Sequence, residues 1–334
     1  MDWSNVLEWV IKALVICLGM TLGFAYTTLY ERKVLARMQV RVGPNRAGPA
    51  GLLQPIADAV KLIFKEELVP AKADKIIFLA APIITVIPAL IITAVVPWGP
   101  SVKIFGREIQ LAMTDINVGV LYLMAVTSIS VYGITLAGWS SNNKYATLGG
   151  LRATAQMISY ELAMGFAMLA PVMMAGSMSL MDIVEGQSKL WYALLQPVAF
   201  IVYIISSLAE VNRSPFDMPE AEQELTAGYH TEYSGMKFAL FFMAEYIKMI
   251  AISMIGSTLF LGGFQGPFVS QYPWLGPIYL FIKTAAWLFF IIWMRATLPR
   301  IRYDKLMMLG WKVLFPVALA NIMVTAVVLV LTGS

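Results

Sequence analysis

Residues 75–97 read KIIFLAAPIITVIPALIITAVVP, and after Lys75 the run carries no charged side chain. A helix rises about 1.5 Å per residue, so about 20 apolar residues cross the hydrocarbon core of a bilayer; this run is long enough. Pro82 and Pro88 do not disqualify it, because membrane helices tolerate proline where neighbours satisfy the freed backbone groups. Seven further stretches of the same kind lie near 5–30, 116–138, 153–175, 191–209, 237–261, 274–294 and 311–331, several of them holding Pro or Gly (Pro171, Pro197, Gly256). Strand-like alternation is absent over comparable lengths, which disfavours a β-barrel. The first run, from about Val6 to Tyr30, is too long for a signal h-region and lacks a small-residue cleavage site, so it reads as a span that stays.

The composition agrees. Of 334 residues, 59% are hydrophobic and 13% charged, and the mean hydropathy is +0.73. A soluble domain carries about 25% charged residues, and half that leaves too little polar surface to cover a water-soluble globule. The expected fold is an all-α integral membrane protein with about eight transmembrane helices, forming one polytopic membrane domain over residues 1–334.

The net charge of +4 is too small to suggest nucleic-acid binding. One cysteine, Cys17, makes no intrachain disulfide or thiolate cluster, and one histidine, His230, makes a histidine-based metal site very unfavourable. Neither a GxGxxG turn after a strand nor a GxxxxGK[ST] loop is present. The chain has no visible means of holding a redox cofactor of its own. Eighteen Lys and Arg fall in the loops or flanks after spans one, three, five and seven, against three (Lys103, Arg107, Lys189) in the opposite loops. The positive-inside rule puts the first set in the cytoplasm and both termini outside.

Two of these basic-side loops are long enough to fold. In the first, from about Glu31 to Asp74, Leu52, Leu53, Ile56, Val60, Ile63 and Phe64 recur at helical spacing, with Asp58, Lys61, Lys65 and Glu66 mainly opposite. Pro55 suits the first turn, so this segment predicts an amphipathic helix lying either in the membrane surface or on the protein's own face. In the third, from about Glu210 to Gly235, Asp217 and Glu220 resemble a capping box and Gly228 a stop, predicting a short helix from about Met218 to Ala227.

Charges inside spans are expensive and call for a reason. Glu161 lies about eight residues into the fourth span, Glu245 at similar depth in the sixth, and Lys283 at the middle of the seventh. Lys248 follows Glu245 at i+3 and is placed to pair with it; Tyr160 and Tyr246 neighbour the two acids. One reading is a proton path of buried, coupled carboxylates linked by water. The other is buried ion pairs that fix helix register. Glu8 and Lys12, near the outer end of span one, read as a local surface pair. The third loop gathers Glu210, Asp217, Glu220, Glu222, Glu224 and Glu232, six of the chain's 20 acids, on the basic side. That is a solvated face, a proton-collecting funnel, or a surface for a basic partner. The first loop is its mirror image, with Arg32, Lys33, Arg37, Arg41 and Arg46 around a Gly- and Pro-rich path from Val42 to Pro49.

Four segments carry a resemblance. Residues 31–66 (ERKVLARMQVRVGPNRAGPAGLLQPIADAVKLIFKE), 151–165 (LRATAQMISYELAMG), 209–235 (AEVNRSPFDMPEAEQELTAGYHTEYSG) with Ala244-Glu245-Tyr246, and 295–304 (RATLPRIRYD) resemble the signatures of the H-type, or subunit 1, family of respiratory complex I, the proton-pumping NADH–quinone oxidoreductase. The likeness extends over nearly the whole chain. It implies a subunit at the heel of an L-shaped complex in a bacterial inner membrane, beside peripheral-arm iron–sulfur and quinone-site subunits, small membrane subunits, antiporter-like subunits and membrane lipids.

It further implies that quinone, as substrate, passes between the first span, the surface helix and the sixth span. Glu31, Arg32, Arg37, Arg41 and Arg46 would lie near that tunnel and a docking face. FMN and iron–sulfur clusters would sit in partners, with no catalytic residue in this chain alone. Glu161, Glu210, Asp217, Glu222, Glu224 and Glu245 occupy the family's buried-acid positions, with Tyr246 and Arg295 nearby; Lys283 joins them from its depth. Some members have a further acid in span three, where this chain has Thr127 and Ser128. The alternatives are the matching component of a membrane-bound hydrogenase or of a ferredoxin- or F420-dependent relative, and, from a different class, a free-standing proton or cation transporter. A transporter predicts an inverted repeat that the sequence does not show by inspection. A purely structural anchor leaves the midspan charges unexplained.

Overall fold

A computed structural model describes residues 3–104, 107–218 and 226–332. Helix follows helix: α1 (Trp3–Met38), α2 (Gln54–Ile63), α3 (Lys75–Ile91), α4 (Gly119–Ser140), α5 (Lys144–Ala175), α6 (Leu180–Gly186), α7 (Tyr192–Leu195), α8 (Pro197–Glu210), α9 (Gly235–Phe260), α10 (Leu275–Thr297) and α11 (Tyr303–Thr332). Among the described residues, Val6–Met38 of α1, α3 with the turn after it, α4, α5, α9, α10 and α11 are the seven helices long and apolar enough to cross a membrane. The chain is an all-α, multi-pass membrane protein. A two-strand hairpin, β1 (Val102–Ile104) against β2 (Arg107–Ile109), is a small addition that the sequence did not announce.

The expected span near 191–209 is not one continuous helix. Gln196 leaves helical geometry at φ −126° and ψ 58°, separating α7 from α8. The cause is Pro197, whose ring disfavours the α region for the residue before it. The 14 residues of α8 rise about 21 Å, short of the hydrocarbon thickness. The surface helix of the first loop is present as α2, with Pro55 in its first turn. The helix expected from Met218 to Ala227 falls mostly outside the described residues. At its far end Thr226 and Ala227 have φ of 49° and 75°, so no helix runs through them; Gly228–His230 makes a 3-10 turn instead.

Side chains start the helices where the sequence allows. Asp74 accepts from the amides of Ile76 and Ile77 at the head of α3, and Asn143 from Tyr145 at the head of α5. Gly176, at φ 67°, closes α5. Small residues let the helices approach, as is usual in membranes. A Cβ on Gly133 of α4 would collide with the Thr85 hydroxyl and sit 2.9 Å from the Ala81 carbonyl of α3, so that interface requires glycine. Gly149 does the same for the third loop, bringing the Gly228 turn onto α5. Leu309–Leu314 within α11 is a π-helical turn. Pro316 follows it; it lacks an amide donor and crowds the carbonyl four residues back.

α5 and α9 form the enclosed centre, while α1 and α11 present most of their length outward. Tyr160 of α5 donates to the Leu306 carbonyl and Tyr203 of α8 to the Ile252 carbonyl, each at 2.9 Å, satisfying two fully buried phenols. At the basic face, Tyr233 stacks on Phe78 with ring centroids 4.1 Å apart and donates to the Phe78 carbonyl at 3.2 Å. Burial pushes its phenol up to about 12, so it stays a donor at working pH.

Candidate functional site

The end of α8 inserts between α5 and α9, and the charged side chains of four helices and one loop meet there. Glu210 is the last residue of α8 and is fully buried. Lys248 of α9 donates to its Oε1 at 3.3 Å. Three residues further on, Arg213 Nε lies 2.8 Å from Glu245 Oε1 of α9, and its Nη1 lies 3.8 Å from Glu31 Oε1 of α1. The Arg213 guanidinium also covers the Tyr246 ring at 4.5 Å. Glu31 collects the rest: Tyr246 donates to its Oε2 at 2.7 Å, and Arg295 of α10 bonds its other oxygen.

The i, i+3 spacing predicts a Glu245–Lys248 pair, and the structure corrects it. α8 and the turn after it bring one acid and one base to the face of α9, so Lys248 takes Glu210 and Glu245 takes Arg213. Each ion thereby finds its opposite across a helix interface, where little solvent screens the attraction. A cavity of about 10 Å³ lies among Thr85, Glu210, Asn212, Glu245 and Lys248, close to the least space that holds one water. It borders the Glu210–Lys248 pair on one side and Glu245 on the other.

Glu161 sits on α5, half-buried in the groove against α4. Ser128 donates to its Oε1, and the Thr127 hydroxyl lies 3.3 Å from the same atom. The two α4 residues that stand where an acid is expected in some relatives thus hold Glu161 by hydroxyls. Glu161 thus stands on α5, the helix against which α8, ending at Glu210, packs. Asp217 bonds Arg300 at 2.8 Å. Glu220, Glu222 and Glu224 lie outside the described residues.

Lys283 does not join this set. Its Nζ donates to the carbonyls of Leu261, Gly263 and Gln265 at 2.7, 2.8 and 2.7 Å, just past the C-terminal end of α9. That end, Phe260, lies 12 residues beyond Lys248, roughly 18 Å along the helix. There the ammonium answers the carbonyl-rich pole of the helix. Glu8 and Lys12 pair locally at 2.7 Å, as their spacing predicts.

Near the C-terminal end of α1, Arg32 bonds Asp58 of α2 at 2.7 Å. Arg37, Arg41 and Arg46 are exposed. Lys33, Arg37, Arg41, Pro44 and Asn45 line an open basic pocket of about 510 Å³. A separate apolar cavity of about 560 Å³ is walled by α1 (Gly19, Gly23, Tyr26), α9 (Ile250, Met254) and α10 (Leu280). α10, not the surface helix α2, supplies its third wall.

Sequence reasoning found the buried acids by their depth in spans. It missed their partners, because Glu31 and Tyr246 are 215 residues apart and Glu31 and Arg295 are 264 apart. A signal was available for Arg213: it is a lone base in a run of acids.

The family model described as NADH dehydrogenase matches residues 11–326. The first of two H-type subunits of NADH-quinone oxidoreductase in Geobacter metallireducens is 52% identical over 319 residues, 96% of this chain and 95% of that protein. The H-type subunit of the same enzyme in Thermomicrobium roseum is 51% identical over 339 residues, 98% of each chain. The second H-type subunit of Geobacter sulfurreducens is 53% identical over 317 residues, 95% of this chain and 94% of the other. The membrane helices, the quoted segments and this identity over nearly the whole length agree: the chain belongs to the H-type subunit family of respiratory complex I, the NADH–quinone oxidoreductase.

Proposed function

We propose that this protein guides quinone from the bilayer and passes the charge change of its reduction into the membrane through buried carboxylates. The observation that carries the reading is the run of ion pairs from Glu31 through Arg213 to Glu245, beside the buried Lys248–Glu210 pair, with Glu161 on α5, the helix against which α8 packs. Acidic and basic groups held in a membrane interior are costly. Neutralising each pair by apolar residues of similar size is often no less stable, so stability alone is a poor reason to keep them. A coupled set of acids responds as a group to a nearby change of charge.

The apolar cavity between α1, α9 and α10 suits an isoprenoid tail, and it lies on the same two helices, α1 and α9, that carry Glu31 and Glu245. One cysteine supplies too few thiolates for an iron–sulfur cluster, so the electrons come from partner subunits that hold FMN and iron–sulfur centres. The basic face, with the first and third loops, lies toward the cytoplasm, α7 and α8 together make an eighth crossing despite the break at Gln196 so that both termini lie outside, and the exposed Arg37, Arg41 and Arg46 face the peripheral-arm subunits. Negative charge arriving near Glu31 changes its balance with Arg213 and Arg295. Arg213 then redistributes between Glu31 and Glu245, and Glu210 and Glu161 take up or release a proton toward neighbouring membrane subunits.

Photolabelling the purified complex with an azido-quinone carrying an isoprenoid tail tests the quinone half. Label on α1 and α9 peptides, displaced by excess quinone, supports it. Label confined to other subunits contradicts it.

A further inference from the structure

We infer that Gln156 is the positioning residue that sets the acidic relay; the inference rests on the relay reading above. Gln156 lies on α5, five residues before Glu161, and is fully buried. Its Nε2 reaches three oxygens: the Phe216 carbonyl at 2.7 Å, the Ala209 carbonyl at 2.9 Å and the Asn212 Oδ1 at 3.2 Å. The two carbonyls belong to the peptide groups immediately before Asp217 and Glu210. A single amide therefore fixes the backbones of two acids against the helix that carries a third. Between the two anchor points lies Arg213, the cation shared by Glu245 and Glu31. Asn212 turns the chain there with φ 53°, a left-handed conformation that a tethered loop holds more readily than a free one.

A packing role alone does not account for glutamine here. Its Oε1 is buried without a hydrogen-bond partner among the described residues, and an unmatched acceptor costs stability. The amide contributes its donors, and the donors are spent on the segment 209–217. Part of that is ordinary capping, since Ala209 offers one of the last carbonyls of α8. The Phe216 bond is not capping; it ties down the peptide that leads into Asp217.

The test uses the whole complex in native membranes, with Gln156→Leu, Gln156→Glu and Glu210→Gln compared for assembly, quinone reduction and protons moved per quinone reduced, each against pH. Gln156→Leu is expected to lower protons per quinone at least twofold and to shift the pH profile, with NADH oxidation by the peripheral arm unchanged. A glutamic acid donates only while protonated, so Gln156→Glu is expected to restore coupling at low pH and lose it as pH rises. Wild-type coupling in Gln156→Leu beside an uncoupled Glu210→Gln overturns the role of Gln156 alone. Wild-type coupling in Glu210→Gln overturns the relay reading itself. Should Gln156→Leu fail to assemble, Gln156→Glu decides: coupling that falls with rising pH supports the inference, and a wild-type profile or loss at every pH overturns it.

Discussion

Replacing Arg213 by glutamine removes the cation between two buried acids. Its side chain and those of Glu31 and Glu245 are each less than a tenth exposed, with oxygens at 3.8 and 2.8 Å from the guanidinium. At an effective dielectric constant near 20, attraction at 2.8 Å is about 6 kcal/mol and at 3.8 Å about 4 kcal/mol. Much of that offsets desolvation, and breaking one side of a buried pair typically costs about 3–5 kcal/mol. Glu31 retains Arg295 and Tyr246, so the loss falls mainly on Glu245. Arg213→Gln is therefore expected to lower the thermal midpoint of the assembled complex and its yield. Adding Glu245→Gln, which removes the charge that Arg213 balanced, is expected to recover most of the loss. A double-mutant cycle on the thermal midpoint measures the coupling. Additive effects, with the double variant no better than Arg213→Gln, would refute the claim that these two side chains neutralise each other.

Ser128→Ala with Thr127→Val takes both hydroxyls from Glu161; protons moved per quinone should fall and the pH optimum shift, measured by dye quenching in membranes. Lys283→Met leaves three carbonyls past the end of α9 without their ammonium. Charged hydrogen bonds contribute about 1.5–3 kcal/mol each and not additively, so assembly and thermal stability should drop while the assembled fraction keeps the wild-type ratio of protons to quinone. Gly133→Val drives a side chain into Thr85 and Ala81; overpacking of this sort costs about 1–3 kcal/mol, read as reduced membrane insertion or assembly on native gels.

The spans were legible because lipid imposes a length and a composition on any helix that crosses it. The break at Gln196-Pro197 shows the limit of that reading. Hydropathy averages over a window, whereas one proline acts on one backbone angle. The surface helix α2 was legible from its apolar period. Glu161 and Glu245 announced themselves as charges at depth, and their partners did not. Helix spacing predicts neighbours within a helix, such as Glu8 and Lys12, but Lys248 found its counter-ion on α8. Lys283 shows the same gap from the other side. Its depth suggested the relay, yet three backbone carbonyls claim it, and no sequence pattern records where a neighbouring helix ends. Gln156 carried no charge to draw notice.

Protons translocated per quinone reduced, in a fully assembled Glu161→Gln complex, test the central claim most directly. The account predicts that quinone reduction coupled to pumping falls severalfold while the subunits assemble and NADH oxidation by the peripheral arm persists. A fully assembled Glu161→Gln complex that pumps and reduces quinone like the wild type would contradict it.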